Sequence, residues 1–570
     1  MPNLLLLIAG RRRPRPDASR LPVEAPSTDA VFLVLRRMRA PFVLLIALFA
    51  VAVAGLALIP GEDGDGNTVR MTVFDAFYFM SYTATTIGFG ELPHEFTIPQ
   101  RMWVTASIYS SVIGWAYSIG VLFSLMQDTS FQDALAVARF RRKVNRIREP
   151  FVVVAGYGRA GRQLCHNLDA LGRHTVVVDA SRKRIDRLAA DQLATDVPAL
   201  EGDVHNPTLL EMAGVLRPNC EAVVALTSDD DANLAVVITS RLMRPGLPVI
   251  ARCDDRRIAE RMRDFEPRAV INPFDLYGER LLLSLRQPTS AQLLTWLMSP
   301  PGSPLPERQE QLTDGRWLVC ADGPFGEEIA ADLHGAGLDV TLVDPADGNP
   351  DVSDVVGLVA GAEADTTNLA LAAHTRDYNP TVHLVVRQHH HSNAPLVDAF
   401  EPDSVFSPND LVVRESLAWV VTPLFRSFLD HVRAQDDDWA SAVLGRLLAN
   451  CGEATPHGAL VRIDAEVAPA VVRWMDRGRT LTVGDLTRDP ENRDAGLGAV
   501  PVLLVRGVHR TFLPEASEAL ERGDRLVMLG SELALDLLTL TLHYDRTLTY
   551  LVTGVDEPSS WVWRRLRASG

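Results

Sequence analysis

The run Thr85-Thr86-Ile87-Gly88-Phe89-Gly90-Glu91 carries no catalytic side chain, so its chemistry lies in its main chain. Glycines at alternate positions free the backbone to turn successive carbonyls to one side, and rings of such carbonyls from several subunits can replace the hydration shell of a monovalent cation. The Thr86 hydroxyl would add an innermost ring, with Ile87 and Phe89 turned away as bracing. A second run, Gly156-Tyr157-Gly158-Arg159-Ala160-Gly161, directly follows the apolar stretch Phe151 to Ala155 and reads as phosphate chemistry. Its first glycine permits a tight turn, its second lets backbone amides approach a pyrophosphate, and its third allows close packing of helix on strand. Asp179 ends the next apolar run, Thr175 to Val178, at the spacing where a carboxylate accepts hydrogen bonds from ribose hydroxyls. An acid there favours NAD, ADP or ATP over a 2′-phosphorylated ribose.

The first run needs a membrane around it. No residue is charged from Phe42 to Ile59 or from Met102 to Gln127, and each stretch is long enough as a helix to cross a ~30 Å hydrocarbon layer. Phe74 to Tyr82, between them, is rich in aromatics and too short to span, which suits a re-entrant helix whose carbonyl end attracts cations. Arg36, Arg37 and Arg39 precede the first span, and Arg139, Arg141, Arg142, Lys143, Arg146 and Arg148 follow the second, placing both ends in the cytoplasm. Glu62, Asp63, Asp65, Glu91 and Glu95 would then face outside and concentrate cations at the mouth. Gly114 and Gly120 in the second span read equally as a hinge or as close-packing positions. No arginine-studded helix precedes the spans, so voltage sensing of the usual kind is not expected. In this setting Thr86 to Gly90 closely resembles the Thr-Val-Gly-Tyr-Gly filter of potassium channels, with Ile for Val and Phe for Tyr; Glu91 stands where that family most often has Asp. The resemblance implies potassium held by Thr86, Ile87, Gly88, Phe89 and Gly90, and a homotetramer crossing the inner membrane.

At 570 residues the chain holds several domains, of which the spans use only about the first quarter. A net charge of −16 suits an acidic cytoplasmic remainder and argues against nucleic acid as a partner. Positive charge is nearly all arginine, which carries no inference about ligands. Cys165, Cys220, Cys253, Cys320 and Cys451 are scattered, so neither a zinc site nor a disulfide framework is indicated. Leu4 to Ile8 followed by Arg11 to Arg13 puts charge on the wrong side for a secretory signal, and residues 1–30 read as a disordered tail.

Beyond Asp179, the pieces Glu201-Gly202-Asp203, Ala225 to Leu234, Ala251-Arg252 and Val270 to Pro273 recur in strand–helix order. With the glycine run they resemble the RCK (regulator of potassium conductance, or Trk nucleotide-binding) domain over about 150–298. That resemblance implies Asp203 near the adenine or ribose, Thr227 beside the cofactor, and Arg159 reaching phosphates across a subunit interface. Asp229, Asp230 and Asp231 are candidates for a divalent cation such as calcium, or for helix capping. Pro273 to Ser299 reads as amphipathic helices, which in RCK domains cross to a partner domain.

Pro300 to Pro306 is a linker by composition, and after it the pattern restarts. Arg316 to Ala321, Asp339 to Val343 with Asp344, Gly357 to Ala360, Asp365 to Leu369, His383 to Arg387 and Val405 to Asn409 echo the first copy. Its loop, Asp322-Gly323-Pro324-Phe325-Gly326, has lost the first glycine and gained a negative charge, so no dinucleotide is expected there. His389-His390-His391 suggests a metal, but adjacent imidazoles point in different directions, and a solvated polar turn is the simpler reading. Asp436-Asp437-Asp438 reads as an exposed corner, and the segments from Ala459 to Gly530 resemble the smaller lobe of RCK proteins.

The expected fold is multi-domain: an all-α two-span membrane domain with a re-entrant pore helix, two α/β Rossmann-like RCK domains, and a smaller α+β C-terminal lobe. The expected boundaries are 31–135 for the pore, 136–149 for a linker helix, 150–299 and 315–435 for the two copies around a linker at 300–314, and 436–570 for the lobe. The expected function is a potassium channel gated by a nucleotide such as NAD, ADP or ATP, with the helix from Met126 to Arg148 transmitting the pull. The alternatives are a regulatory subunit of a potassium transporter, which would need no filter, and a membrane-anchored NAD-dependent oxidoreductase. The latter would need an acid or base beside the glycine run, where no His/Asp or Tyr/Lys constellation stands, so no enzyme is expected.

Overall fold

The computed structural model describes residues 30–62, 67–90, 94–308 and 315–555. The proposed tail, Asp63, Asp65 and Glu91 lie outside them. The chain divides into two compact units, one comprising residues up to 153 with 174–192 and 196–220, the other residues 154–173, 193–195 and 221 onward.

In the first unit, α1 (Ala30–Leu58) is followed by the short antiparallel pair β1 (Pro60–Glu62) and β2 (Thr68–Arg70), then α2 (Val73–Ala84) and α3 (Ile98–Gln127). The segment Met38–Leu58 of α1 and all of α3 are long and apolar enough to cross a membrane. Twenty-one residues in Met38–Leu58 reach about 31 Å as a helix. Thr72 caps α2 by accepting from the Asp75 amide at 3.1 Å. Ala52, Leu56, Ala76, Met80 and Val104 form the core among these three helices. The Trp103 indole N–H donates to the Ala52 carbonyl at 3.0 Å, and a Cβ on Gly55 would fall inside the Trp103 ring, so α1 and α3 touch there through glycine. Gly114 is likewise a packing position: a Cβ there would lie 2.8 Å from Leu48, and α3 continues through it unbroken.

The helix expected from Met126 to Arg148 is divided. α3 stops at Gln127, and the Asp128 carboxylate accepts from the Phe131 amide at 3.2 Å to start α4 (Thr129–Arg146). Asp at this position competes for backbone amides and so favours a cap over a helix interior. Phe140 and Val144 of α4 are buried.

The α/β part then runs β3 (Phe151–Ala155), α5 (Arg159–Ala170), β4 (His174–Asp179), α6 (Arg182–Ala190), β5 (Ala199–Glu201), α7 (Pro207–Met212), β6 (Cys220–Ala225), α8 (Asp230–Met243), β7 (Val249–Arg252), α9 (Arg256–Arg263) and β8 (Ala269–Ile271). The strand order is β5-β4-β3-β6-β7-β8, with β4 parallel to β5 and β6, β7 and β8 parallel to one another. Every residue of β3 is buried, as befits a strand covered on both faces. α10 (Pro273–Arg286) and α11 (Pro288–Met298) follow, as the amphipathic pattern predicts.

The second copy comprises β9 (Arg316–Cys320), α12 (Gly323–Gly335), β10 (Asp339–Val343), β11 (Val355–Ala360), α13 (Asp365–Tyr378), β12 (His383–Arg387), α14 (Ala394–Asp398), β13 (Ser404–Phe406), α15 (Pro408–Val421) and α16 (Pro423–Arg433). Its parallel sheet has the order β10-β9-β11-β12-β13, the order of the first copy without a counterpart to β5. Where α9, α10 and α12 come together, Arg256 is shared by Asp275, by Asp332 at 2.8 Å and by Glu328 at 3.6 Å.

α17 (Asp437–Cys451), β14 (His457–Arg462), α18 (Pro469–Asp476), α19 (Val483–Leu486), β15 (Ala499–Arg506), β16 (His509–Phe512), β17 (Arg525–Gly530), α20 (Glu532–His543) and α21 (Asp545–Thr553) complete the described chain. The strands form an antiparallel sheet of order β14-β17-β15-β16. In the acidic triplet Asp436 and Asp438 are exposed; Asp436 also caps α17, accepting from the Trp439 amide at 2.8 Å, and Asp437 accepts from the Ser290 amide at 2.7 Å.

Candidate functional site

After α2 the chain turns into Thr86 (φ 60°), Gly88 (φ 63°) and Gly90 (φ 75°), each left-handed, with Ile87 and Phe89 between them outside that region. Alternation of positive and negative φ is the backbone pattern that can turn consecutive carbonyls to one side of a strand. Glycine takes this conformation freely, while Thr86 holds it at a steric cost. The turn is anchored to the end of α2, where the Ile87 amide donates to the Tyr82 carbonyl at 2.9 Å and the Thr85 hydroxyl to the Ser81 carbonyl at 2.8 Å. Phe89 meets the Tyr82 ring edge-on at 5.9 Å, and Tyr82 in turn meets Tyr78 and Phe79 at 5.3 Å, an aromatic wall behind the run.

At the glycine run, Gly156 (φ 102°) lies against the main chain of Leu226 and Thr227: a Cβ would be 2.7 Å from the Thr227 nitrogen. A Cβ on Gly161 would coincide with the Gly156 carbonyl oxygen, so its hydrogen lets α5 start beneath the loop. Gly158 differs from both. Its backbone is extended (φ −72°, ψ −161°), and a Cβ there would meet no protein atom within 4 Å. Neither packing nor dihedral strain asks for glycine at that position, and the space beside it is open.

Thr227 is fixed by a residue that sequence reasoning missed. Asn233, fully buried on α8, accepts from the Thr227 amide at 3.0 Å and hydroxyl at 2.8 Å, and donates to the carbonyls of Thr227 and Arg252 at 3.0 Å. Asn368 repeats the device in the second copy, accepting from the Ala362 amide at 2.8 Å and donating to the Ala362 and Arg387 carbonyls at 2.9 and 2.8 Å. The equal spacing from loop to asparagine to next strand is the signal that would have revealed it. Asp229 is the N-cap of α8, and Asp230 accepts from the amides of Asp254 and Asp255 at 3.0 and 2.8 Å, so main-chain amides engage two of the three carboxylates.

Asp179 and Asp203 come together at the carboxyl ends of β4 and β5, where the Gly202 amide donates to the Asp179 carbonyl at 3.0 Å. Asp179 is buried, and its carboxylate accepts from the Ser181 amide at 2.7 Å and Arg184 at 3.2 Å. Asp203 is exposed; the amide and ring of His205 donate to it and lower its pKa.

Arg159, the first residue of α5, is engaged by the second copy. Within its own chain it donates to the His389 carbonyl at 3.3 Å and meets His390 Nε2 at 2.8 Å. His390 and His391 are exposed, as the polar-turn reading expects, but the turn is organised by carboxylates: His389 and His390 contact Asp365, and His391 contacts Asp410 at 2.9 Å. Among the described residues no group of three or more His, Cys, Asp or Glu is placed to hold a metal ion. In the second copy the buried ring of Phe325 packs against Gly361, where a Cβ would be 2.5 Å from it, and the buried Arg387 lies 4.6 Å over the same ring. Counted from the ends of β3 and β9, Asp322 takes the place of Tyr157 and Phe325 that of Ala160.

A third feature links helix to sheet in the first unit. Arg217 donates to the Val144 carbonyl at 2.7 Å and the Ile147 carbonyl at 2.6 Å, while Asn219 donates to the carbonyls of Ile147 and Glu149 at 3.2 and 2.9 Å. The last carbonyls of α4, the negative end of its dipole, are thus held by a guanidinium from the loop before β6.

Residues 42–128 match the family model described as an ion channel, and residues 152–273 that of the TrkA-N domain. The chain is 20% identical over 211 residues to the voltage-gated potassium channel Kch of Escherichia coli, covering 37% of this chain and 49% of that one. It is 26% identical over 145 residues to a Trk system potassium uptake protein TrkA homolog of Pyrococcus abyssi, covering 24% and 61%. It is 24% identical over 242 residues to an uncharacterized protein of Methanothermus fervidus, covering 42% and 37%. The chain thus spans between about a third and three fifths of the length of these relatives. Among solved structures it is similar to the GsuK channel bound to NAD, with a TM-score of 0.41 and 14% identity over 92% of this chain and all of that one.

Proposed function

We propose that the chain is the pore-forming subunit of a potassium-selective channel and that a nucleotide held by its first α/β domain gates it. One observation carries the reading: left-handed backbone alternates at Thr86, Gly88 and Gly90, between two helices long and apolar enough to cross a membrane. Four chains around an axis would close the carbonyls of Thr86, Ile87, Gly88, Phe89 and Gly90 into rings for dehydrated potassium. In this reading α2 is the re-entrant helix, its carbonyl end toward the cation. The exposed side chains of Ile46, Tyr109, Val112, Ile113 and Phe123 then face lipid or sister subunits of a homotetramer. The basic stretch Arg139 to Arg148 sets both termini in the cytoplasm, beneath an inner membrane.

The open space beside Gly158 supports the nucleotide half of the reading. Amides of the run Gly156 to Gly161 with Tyr157 and Ala160, at the start of α5, would receive the phosphates. Thr227, held rigid by Asn233, would line the loop, while Asp179 and Asp203 would take the ribose and adenine of NAD or an adenine nucleotide. A nucleotide gates only by binding one conformation more tightly than another, and α4, tied to the domain by Arg217, is the element that carries the difference to α3. Purified protein in liposomes should pass potassium and exclude sodium, with a flux that changes when NAD, ADP or ATP is added on the domain side. Equal passage of sodium, or no potassium flux under any of these nucleotides, would refute the proposal.

A further inference from the structure

We propose that His390 of the second copy is a latch on the first copy's nucleotide site, competing with the ligand's phosphate for Arg159. The inference rests on the nucleotide reading and adds its regulation. Arg159 is the sole cation in the run Gly156 to Gly161 and opens α5, where a phosphate would sit. It is engaged elsewhere, with Nη1 on the His389 carbonyl at 3.3 Å and Nη2 at 2.8 Å from His390 Nε2.

The chemistry of that contact fixes its protonation. A guanidinium only donates, so His390 Nε2 must accept, and the ring proton must sit on Nδ1. Nδ1 faces Asp365 Oδ2 at 3.3 Å. Asp365 is itself held: the amides of His389 and His390 donate to it at 2.7 and 3.0 Å, and the Asn393 side-chain amide at 2.8 Å. Burial opposes its charge, but these donors outweigh burial and keep its pKa below the ordinary aspartate range. The carboxylate orients a neutral imidazole, and the imidazole presents its lone pair to Arg159.

Two of the five guanidinium N–H donors, one on each terminal nitrogen, are committed to His389 and His390, so a phosphate that draws the Arg159 side chain to the loop competes with both contacts. A phosphate takes Arg159 by releasing His389 and His390, so occupancy of the glycine loop frees the contact between α5 and the segment after β12. The second copy acts through this contact as a sensor of ligand bound to the first.

ADP titrated into the full-length protein by calorimetry tests the latch. His390→Ala should tighten ADP binding about 3- to 10-fold, as expected for an exposed contact with a charged donor. His390→Gln, whose side-chain oxygen can accept in place of Nε2, should stay near the wild-type affinity. Arg159→Ala should weaken binding, and in that background His390→Ala should have no further effect. An unchanged affinity in His390→Ala, or the same shift with and without Arg159, overturns the latch while leaving the nucleotide reading intact. A wild-type protein that binds no ADP, like a Gly158→Asp control, removes the nucleotide reading and the latch with it.

Discussion

Replacing Arg217 by alanine should detach α4 from the α/β domain. The side chain supplies charge-assisted hydrogen bonds to two main-chain carbonyls at the end of α4, at 2.7 and 2.6 Å, and lies over the Phe151 ring at 6.0 Å. It is half-buried, so each bond counts at the low end of the range for charged donors, and their loss removes about 2–3 kcal/mol of local stability. Asn219 retains one bond to the Ile147 carbonyl, which keeps the change local. Hydrogen–deuterium exchange should then show amides near the end of α4 opening roughly 30- to 150-fold more readily, with the exchange of β6 and β7 unaltered. If α4 transmits the ligand signal, liposome flux in Arg217→Ala should persist but lose its response to nucleotide. Unchanged exchange at α4 would refute the energetic reasoning, and a full nucleotide response despite faster exchange would refute α4 as the transmitting element.

Other perturbations separate the sites. Gly158→Ala should leave the domain folded and weaken nucleotide binding, measured by calorimetry, whereas Gly161→Ala places a methyl group on the Gly156 carbonyl and should destabilise the domain by at least ~2 kcal/mol in denaturant unfolding. Gly88→Ala forces alanine into the left-handed region at about 1–2 kcal/mol per subunit and should abolish potassium flux while the assembled protein still elutes at its native size. Burial, with repulsion from Asp275 and Asp332 adding to it and Arg256 opposing it, pushes the Glu328 carboxyl up to about 7. The folded state therefore holds a proton that the unfolded state releases near pH 4.5, so this group's contribution to stability falls as pH rises to about 7, by up to roughly 2–3 kcal/mol. Thermal unfolding of the wild type should show this slope and Glu328→Gln should flatten it; an identical slope in both would place the titration elsewhere.

The parts legible in the sequence are those whose chemistry is local. Gly88, Gly90, Gly156 and Gly161 announce themselves because a backbone conformation or a close approach depends on one residue, and β3, β4 and β12 because a covered strand is a continuous apolar run. Residues that act across long separations were not legible. Asn233 reads as one polar position on a helix until its bond to the Arg252 carbonyl is seen, and Arg217 as one arginine among many until it meets α4, some seventy positions earlier. The hold of Asp365 on His389 and His390 was equally hidden, since the carboxylate lies 24 and 25 positions away. Asp128 could have been read as a cap, but the uninterrupted apolar-to-basic pattern around it concealed the boundary.

That boundary at Asp128 bears on how force travels. Main-chain hydrogen bonding does not run continuously from α3 into α4, so the two helices meet at a joint instead of forming one rod. A rod delivers twist and tension alike, whereas a joint sheds rotation about its long axis and passes on displacement. In the proposed channel, a motion of the α/β domain would thus reach the Gln127 end of α3 chiefly as a lateral tug. Lengthening the joint by inserting flexible residues after Asp128 should slacken the gate in proportion to the slack introduced.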